Sequence, residues 1–243
     1  MDPLLRFRRL RLVTNPFEVI EPERFLKVAP ELPGLSRQLA GDWRTLEFVG
    51  PPGSGKTTRL LFSMNSLLKN GAAGGLARRG EGGQWRFEVP LAAGPLDLLA
   101  VDDVDRAAGW FARPSPPPEA ARAKRVLLTS GRPVASSLGL APVRTVTLDR
   151  VGPEEIVAYH RARVDAVSTG PAGRYALTPE ALHRLHNLSE GNYCRLNRIL
   201  YHSFEGLIRD EPLEEKAIER GYGGFLLEEQ ESAEARGREP VLK

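Results

Sequence analysis

Apolar and polar positions fall into two regimes that meet near residue 150. Before it, apolar runs of strand length recur: Thr45-Leu46-Glu47-Phe48-Val49, Leu96 to Val101, Arg125 to Ser130 and Val143 to Leu148. Trp85-Arg86-Phe87-Glu88-Val89 alternates and predicts a further strand. Leu60, Leu61, Met64, Leu67 and Leu68 share one face of a helix that continues through Lys69. Strands alternating with helices predict an α/β class, with a parallel sheet covered by helices on both faces. After Val151 only the helical period remains. Gly152-Pro153-Glu154-Glu155 opens one helix, with Ile156, Tyr159 and Val164 on its apolar face, and Thr178-Pro179-Glu180 opens a second with Thr178 as cap. Ser189-Glu190-Gly191-Asn192 precedes a third with Leu196, Ile199, Leu200 and Phe204, and a fourth short helix is expected from Leu213 to Arg220. This second part predicts a small all-helical domain.

The stretches between these elements are punctuated by turn formers. Leu5 to Leu12 alternates basic and apolar residues and predicts a short edge strand, an arm on a phosphate backbone, or a solvated extension. Asn15-Pro16-Phe17, Pro22 and Pro30 keep the chain irregular until a short helix from Leu35 to Leu39. Asn70 to Gly75 and Gly80 to Gly83 read as flexible, and Pro114 to Pro118 as a proline-rich loop before a short helix from Glu119 to Arg125. Glu228 to Lys243 is charged and poor in core residues, and reads as frayed.

Composition narrows the class. Across 243 residues a hydrophobic share of 41% supports a real core. The single cysteine, Cys194, leaves no internal disulfide framework and suits a reducing cytoplasm, and no apolar run reaches membrane-span length. A soluble cytoplasmic protein without a membrane partner is expected. Net charge is +3, but residues 1–150 carry 22 Lys and Arg against 15 Asp and Glu, while residues 151–243 carry 12 against 16. A basic first part permits nucleic-acid contact.

The chemistry concentrates in Gly50-Pro51-Pro52-Gly53-Ser54-Gly55-Lys56-Thr57-Thr58, between the first strand and the first helix. Gly50, Gly55, Lys56 and Thr57 fit the phosphate-loop pattern, whose backbone N–H groups turn inward toward phosphate oxygens. Lys56 places a point charge on the β- and γ-phosphates, Thr57 offers a hydroxyl to Mg²⁺, and the helix dipole adds to the same pocket. ATP and Mg²⁺ are the expected ligands. Asp102 ends an apolar strand 46 residues after Lys56, where a second metal-organising carboxylate belongs, and Asp103 is placed to orient the attacking water. Thr129 or Ser130, ending the next strand, is a candidate to sense the γ-phosphate. Arg195, or Arg198 on roughly the same helix face, is a candidate to couple nucleotide to the helical part. Arg132 or Arg144 is a candidate to reach a neighbouring subunit's site as an arginine finger. The segment before the loop covers the adenine in many such ATPases, which makes Val13, Phe17 and Val19 candidates.

Taken together, the loop, the Asp102-Asp103 strand end, Val126 to Pro133 and Gly191-Asn192-Tyr193-Cys194-Arg195 resemble the AAA+ ATPases across residues 13–210. The branch most similar holds the bacterial replication initiator, helicase loaders and transposition ATPases; Asn15-Pro16-Phe17 is similar to the opening of some of its members. The spacing from Gly191 to Arg195 is one residue longer than the family's Gly-x-x-Arg. The interval before Asp102 is short for the usual second helix. The resemblance implies an arm and adenine-covering segment (1–40), a phosphate-loop core (41–150), a helical lid (151–222) and a charged flexible tail (223–243). It also implies an ATPase that self-assembles through its nucleotide sites as a switch or loader, and that contacts DNA through its backbone. A regulator of a protein partner is the alternative, and a small-molecule kinase a third reading; no Asn-Lys-x-Asp motif supports a guanine-nucleotide switch.

Overall fold

The computed structural model describes residues 7–18, 32, 34–69, 71, 73–79, 84–89, 96–105, 115–170 and 174–235. These form two compact units. The first runs from residue 32 to residue 150. It contains α1 (Leu35–Leu39), β1 (Thr45–Val49), α2 (Lys56–Lys69), β2 (Gly74–Arg79), β3 (Trp85–Val89), β4 (Leu98–Asp102), β5 (Arg125–Ser130) and β6 (Val143–Thr147). The sheet order is β3-β2-β4-β5-β1-β6, and every neighbouring pair is parallel except β2 with β3. Both β1 and β4 are buried along their whole length, as parallel strands covered on two faces require.

Alternation along the strands assigns each face its own core. Asp102 and Thr129 face α2, because both lie in a hydrogen-bonded group with Thr57 at that helix's start. Leu99, Val101, Val126 and Leu128 therefore face the other way. They pack with Ala120, Ala123, Val134, Ala135 and Leu140, from two 3-10 turns (Pro118–Ala121 and Ser136–Leu138) and the segments beside them. On the first face α2 lies against β1, β4 and β5, with Leu60, Leu61, Phe62 and Met64 buried.

One expectation changes here, and the short interval before Asp102 is accounted for. Gly74–Arg79, expected to be flexible at its start, forms β2. β3 returns antiparallel to it, so among the described residues a hairpin stands between α2 and β4 where a second helix is usual. Gly80 to Gly83 lie outside the described residues.

The second unit joins residues 7–18 to residues 151–235. Its helices are α3 (Pro153–Val167), α4 (Pro179–Ser189), α5 (Tyr193–Glu205) and α6 (Glu215–Ala235). Thr178 caps α4 by accepting from the Ala181 N–H, and Asn192 caps α5 by accepting from Cys194 and Arg195. The fourth helix, expected to stop at Arg220, continues to Ala235, so residues 223–235 are helical rather than a frayed tail. Residues 236–243 lie outside the described residues.

The described part of the alternating N-terminal stretch, residues 7–12, is not a strand. Phe7 to Arg9 make one helical turn, and Leu12 bridges to Ser168. Phe17 is buried in an aromatic cluster with Tyr159, His160 and Phe204. The Asn15 side chain donates to the Tyr201 carbonyl (3.0 Å), Asn197 donates to the Phe17 carbonyl (2.9 Å), and Arg163 Nε donates to the Pro16 carbonyl (2.8 Å). Asn15-Pro16-Phe17 is thus a plug in the helical unit, and Phe17 is not offered to an adenine. Val13 is half exposed, its N–H donating to the Val167 carbonyl; Val19 lies outside the described residues.

Candidate phosphate-binding site

The loop leaves the C-terminal end of β1 and re-enters the fold as α2, at the sheet edge where β4 and β5 also end. Gly53 (φ 80°) and Gly55 (φ 83°) hold left-handed backbone that side-chain-bearing residues adopt only with strain. Gly50 is needed for a different reason. A Cβ there would stand 2.4 Å from the Leu148 carbonyl oxygen and 2.5 Å from Ser54 Oγ, so only hydrogen fits. Lys56 Nζ, at the first position of α2, donates to the carbonyls of Gly50 (2.7 Å) and Pro51 (2.9 Å), arching across the loop.

Beside it lies a hydrogen-bonded chain across three elements. Thr57 Oγ1 is 3.0 Å from both oxygens of Asp102, and Thr129 Oγ1 donates to Asp102 Oδ1 at 2.6 Å. Thr129 Oγ1 in turn accepts from the Asp103 N–H at 2.7 Å. Asp103 sits at φ 51°, a turn that ends β4 and re-aims the chain immediately after Asp102. Asp102 is 3% exposed, so these partners stabilise a carboxylate largely removed from water.

Arg78 completes the group. β2 pairs with β4 so that Arg78 stands opposite Asp102, and its Nε lies 2.9 Å from Asp102 Oδ2. No motif marks Arg78. The signal available was Leu76-Ala77, a short apolar step between a glycine pair and two arginines, which is a weak strand signature on its own.

Ser130 is not brought to this site. Its side chain points to the opposite face, where its hydroxyl donates to Glu47 Oε1 (3.0 Å). Glu47, buried in mid-strand, also accepts from the N–H groups of Val134 (2.8 Å) and Ala135 (3.1 Å) and pins the turn after β5 to β1. Arg144 stands opposite Leu46, toward the end of the sheet away from the loop. Its guanidinium donates to the carbonyls of Ala40 (2.7 Å) and Arg37 (3.4 Å) at the end of α1, a capping role. Arg132 follows the C-terminal end of β5, on the loop's edge of the sheet, and is exposed. Asp105 accepts from the Gly131 N–H (2.7 Å) and ties the turn after β5 to the segment after β4.

In the helical unit, Arg195 Nη1 pairs with Glu190 Oε1 (2.8 Å), and its guanidinium lies 5.9 Å from the Phe225 ring centroid. Arg198 is held more firmly, by Glu228 (3.1 Å), Glu229 and the Phe225 ring (4.8 Å).

A phosphate-loop ligand fits what is present. The loop has no room for a side chain at Gly50 and left-handed backbone at Gly53 and Gly55, a lysine and a helix start face it, and a threonine hydroxyl adjoins a buried carboxylate. Among the described residues no group of three or more His, Cys, Asp or Glu could hold a metal ion alone. A phosphate-bound divalent cation does not need one, since phosphate oxygens and waters complete its shell. Among the described residues no helix is long and apolar enough to cross a membrane.

Strand, glycine loop and helix on this sheet define a phosphate-loop α/β fold, followed in the chain by an all-helical unit. No family model matches the chain, and no curated protein matches it. Among solved structures it is similar to the Thermotoga maritima RuvB Holliday junction branch migration motor, at 12% identity and a TM-score of 0.47, over 90% of this chain and 82% of that one.

Proposed function

We propose that this chain is an AAA+-type ATPase that binds ATP with Mg²⁺ in the 50–58 loop and acts as a switch or loader, assembling through its nucleotide sites. The observation that carries this reading is the Thr57–Asp102–Thr129 chain beside the Lys56 loop. It joins the helix after the loop to the ends of two neighbouring strands, where phosphoryl chemistry needs a metal-organising carboxylate and a polar relay. Lys56 would turn from the loop carbonyls to the β- and γ-phosphates. Thr57 and Asp102 would hold the cation, which supplies charge neutralisation at the phosphates. Asp103 would orient the attacking water, with its backbone fixed by Thr129. We assign the lid role to Arg195, which has one ion-pair partner where Arg198 has two glutamates. Arg132 is the better placed finger, because Arg144 caps α1.

The branch reading, with cytoplasmic DNA as the surface on which the protein assembles, rests on the resemblance of its motifs and the basic balance of residues 1–150. The deciding measurement is ATPase rate and particle size with and without double-stranded DNA, alongside Lys56→Ala. The expected outcome is ATP binding abolished by Lys56→Ala, with hydrolysis or assembly stimulated by DNA of any sequence and weakened by salt. ATP binding that ignores DNA would direct the search to a protein partner. No ATP binding at all would overturn the reading.

A further inference from the structure

Asp102 carries more partners than its metal role requires. Oδ1 meets Thr57 (3.0 Å) and Thr129 (2.6 Å), while Oδ2 meets Thr57 (3.0 Å) and the Arg78 guanidinium (2.9 Å). Both oxygens are occupied, so anything else that engages this carboxylate must displace a partner or share with it. Thr57 and Thr129 are short side chains fixed by α2 and β5. Arg78 is long, a third exposed at its side chain, and the only one of the three that carries charge. Its positive charge sits on one of the two oxygens open to a divalent cation, and two cations about 4 Å apart repel.

We propose that Arg78 is a built-in competitor of the divalent cation at Asp102. The guanidinium and the metal are alternative counter-charges of one buried carboxylate. Arg78 therefore sets the metal concentration at which the loop holds its nucleotide. The proposal rests on the nucleotide reading above and adds a residue that no motif marks. It also gives β2 a function: the register that places Arg78 opposite Asp102 is what delivers the competing charge.

The test uses the full chain, a fluorescent ADP and Mn²⁺ as the metal probe. Mn²⁺ is titrated in chelator-buffered solution, and free Mn²⁺ is read in parallel by electron paramagnetic resonance. Removing the competing charge in Arg78→Gln is expected to lower the Mn²⁺ midpoint about tenfold, the scale of one close charge at a partly exposed site. Arg78→Lys, which keeps the charge, is expected to stay within about twofold of the unchanged protein. In an Asp102→Asn background the Arg78→Gln substitution should move the midpoint by less than about twofold, because the shared carboxylate is gone. Arg78→Met keeps the aliphatic stem along β2 and carries the same expectation if the glutamine variant fails to fold. A midpoint that is unmoved or raised in the neutral variants, with nucleotide still bound, overturns the role of Arg78 alone. An unaltered protein that binds no nucleotide at any Mn²⁺ concentration overturns the nucleotide reading, and this one with it.

Discussion

Thr129 and Ser130 are neighbours in sequence with hydroxyls on opposite faces of the sheet, and their substitutions should separate accordingly. Thr129→Val keeps the shape but removes the donor to Asp102 and leaves the Asp103 N–H without its acceptor. Single-turnover hydrolysis is expected to fall at least about tenfold while nucleotide affinity changes little, since the loss lies beside Asp103, the residue proposed to orient water. Ser130→Ala removes one of three donors to buried Glu47. It should cost about 1–3 kcal/mol in chemical denaturation and leave hydrolysis unchanged. Equal effects of the two on hydrolysis would contradict this division. His160 offers a pH test in the other unit. Its ring stacks on Phe17 and is fully enclosed, and burial pushes its pKa down from 6.5 to about 3. The unfolded chain therefore binds this proton at higher pH than the folded chain does. Stability should be undiminished above about pH 6.5 and fall as pH drops from there toward 3, by about 1.4 kcal/mol per unit from this group. In His160→Phe, which keeps a ring against Phe17, the denaturation free energy should lose that part of its slope between pH 6.5 and 4.5. The loop residues were legible in the sequence because their geometry is local to nine consecutive positions. Arg78 was not, because its meaning comes from which residue of another strand stands opposite it.

At the scale of elements, both misread segments fail for one reason. Gly74-Gly75 and Gly221-Tyr222-Gly223-Gly224 carry the composition of a breaker, yet the first opens β2 and the second lies inside α6. Close approach explains them. A Cβ on Gly74 would stand 2.9 Å from Leu68 Cδ2 of α2, and one on Gly221 would stand 2.4 Å from the Ile199 carbonyl oxygen and 2.1 Å from Ser203 Oγ of α5. These glycines let backbones pack, and tertiary contact then holds the strand and the helix against propensity. Buried Ile218 and Phe225, two turns apart, carry the apolar face of α6 past the point where the pattern suggested a stop. The opposite consequence holds at Gly223, where nothing lies within 4 Å. Gly221→Ala should destabilise the protein by about 1–3 kcal/mol through overpacking against backbone. Gly223→Ala should stabilise it by about 0.5–1 kcal/mol by removing a flexible residue from an open helix position. Denaturant midpoints for the two variants, read with unchanged slopes, check the pair. A shift of the same sign at both positions would show that helix propensity, not packing, governs α6.

For the whole molecule, the decisive property is whether one copy holds a complete site. Its first unit supplies a loop lysine and a hydroxyl–carboxylate pair; Arg78 is bonded to Asp102, and Arg144 caps the end of α1, away from the loop. Arg132 is exposed on the loop's edge of the sheet, facing outward from its own unit's core. If a neighbouring copy supplies it, two defective proteins should repair each other. Lys56→Ala lacks a working loop but keeps Arg132; Arg132→Ala lacks the finger but keeps the loop. Each alone should hydrolyse ATP about a thousandfold more slowly than the unaltered chain, the lower end of the range for loss of a trans arginine. Mixed, the first offers its Arg132 to the second's intact loop, and hydrolysis should return in part and rise with protein concentration, as an assembled interface requires. Light scattering on the same samples should show ATP-dependent growth in particle size. Arg144→Ala serves as the contrast: it should lower stability without lowering the rate per folded molecule, because it removes a cap on α1 and no charge from the site. Full hydrolysis by Arg132→Ala alone would mean that each copy completes its own site. Loss of hydrolysis without recovery on mixing would place the Arg132 requirement within one chain, and assembly would then have to be argued from a different surface.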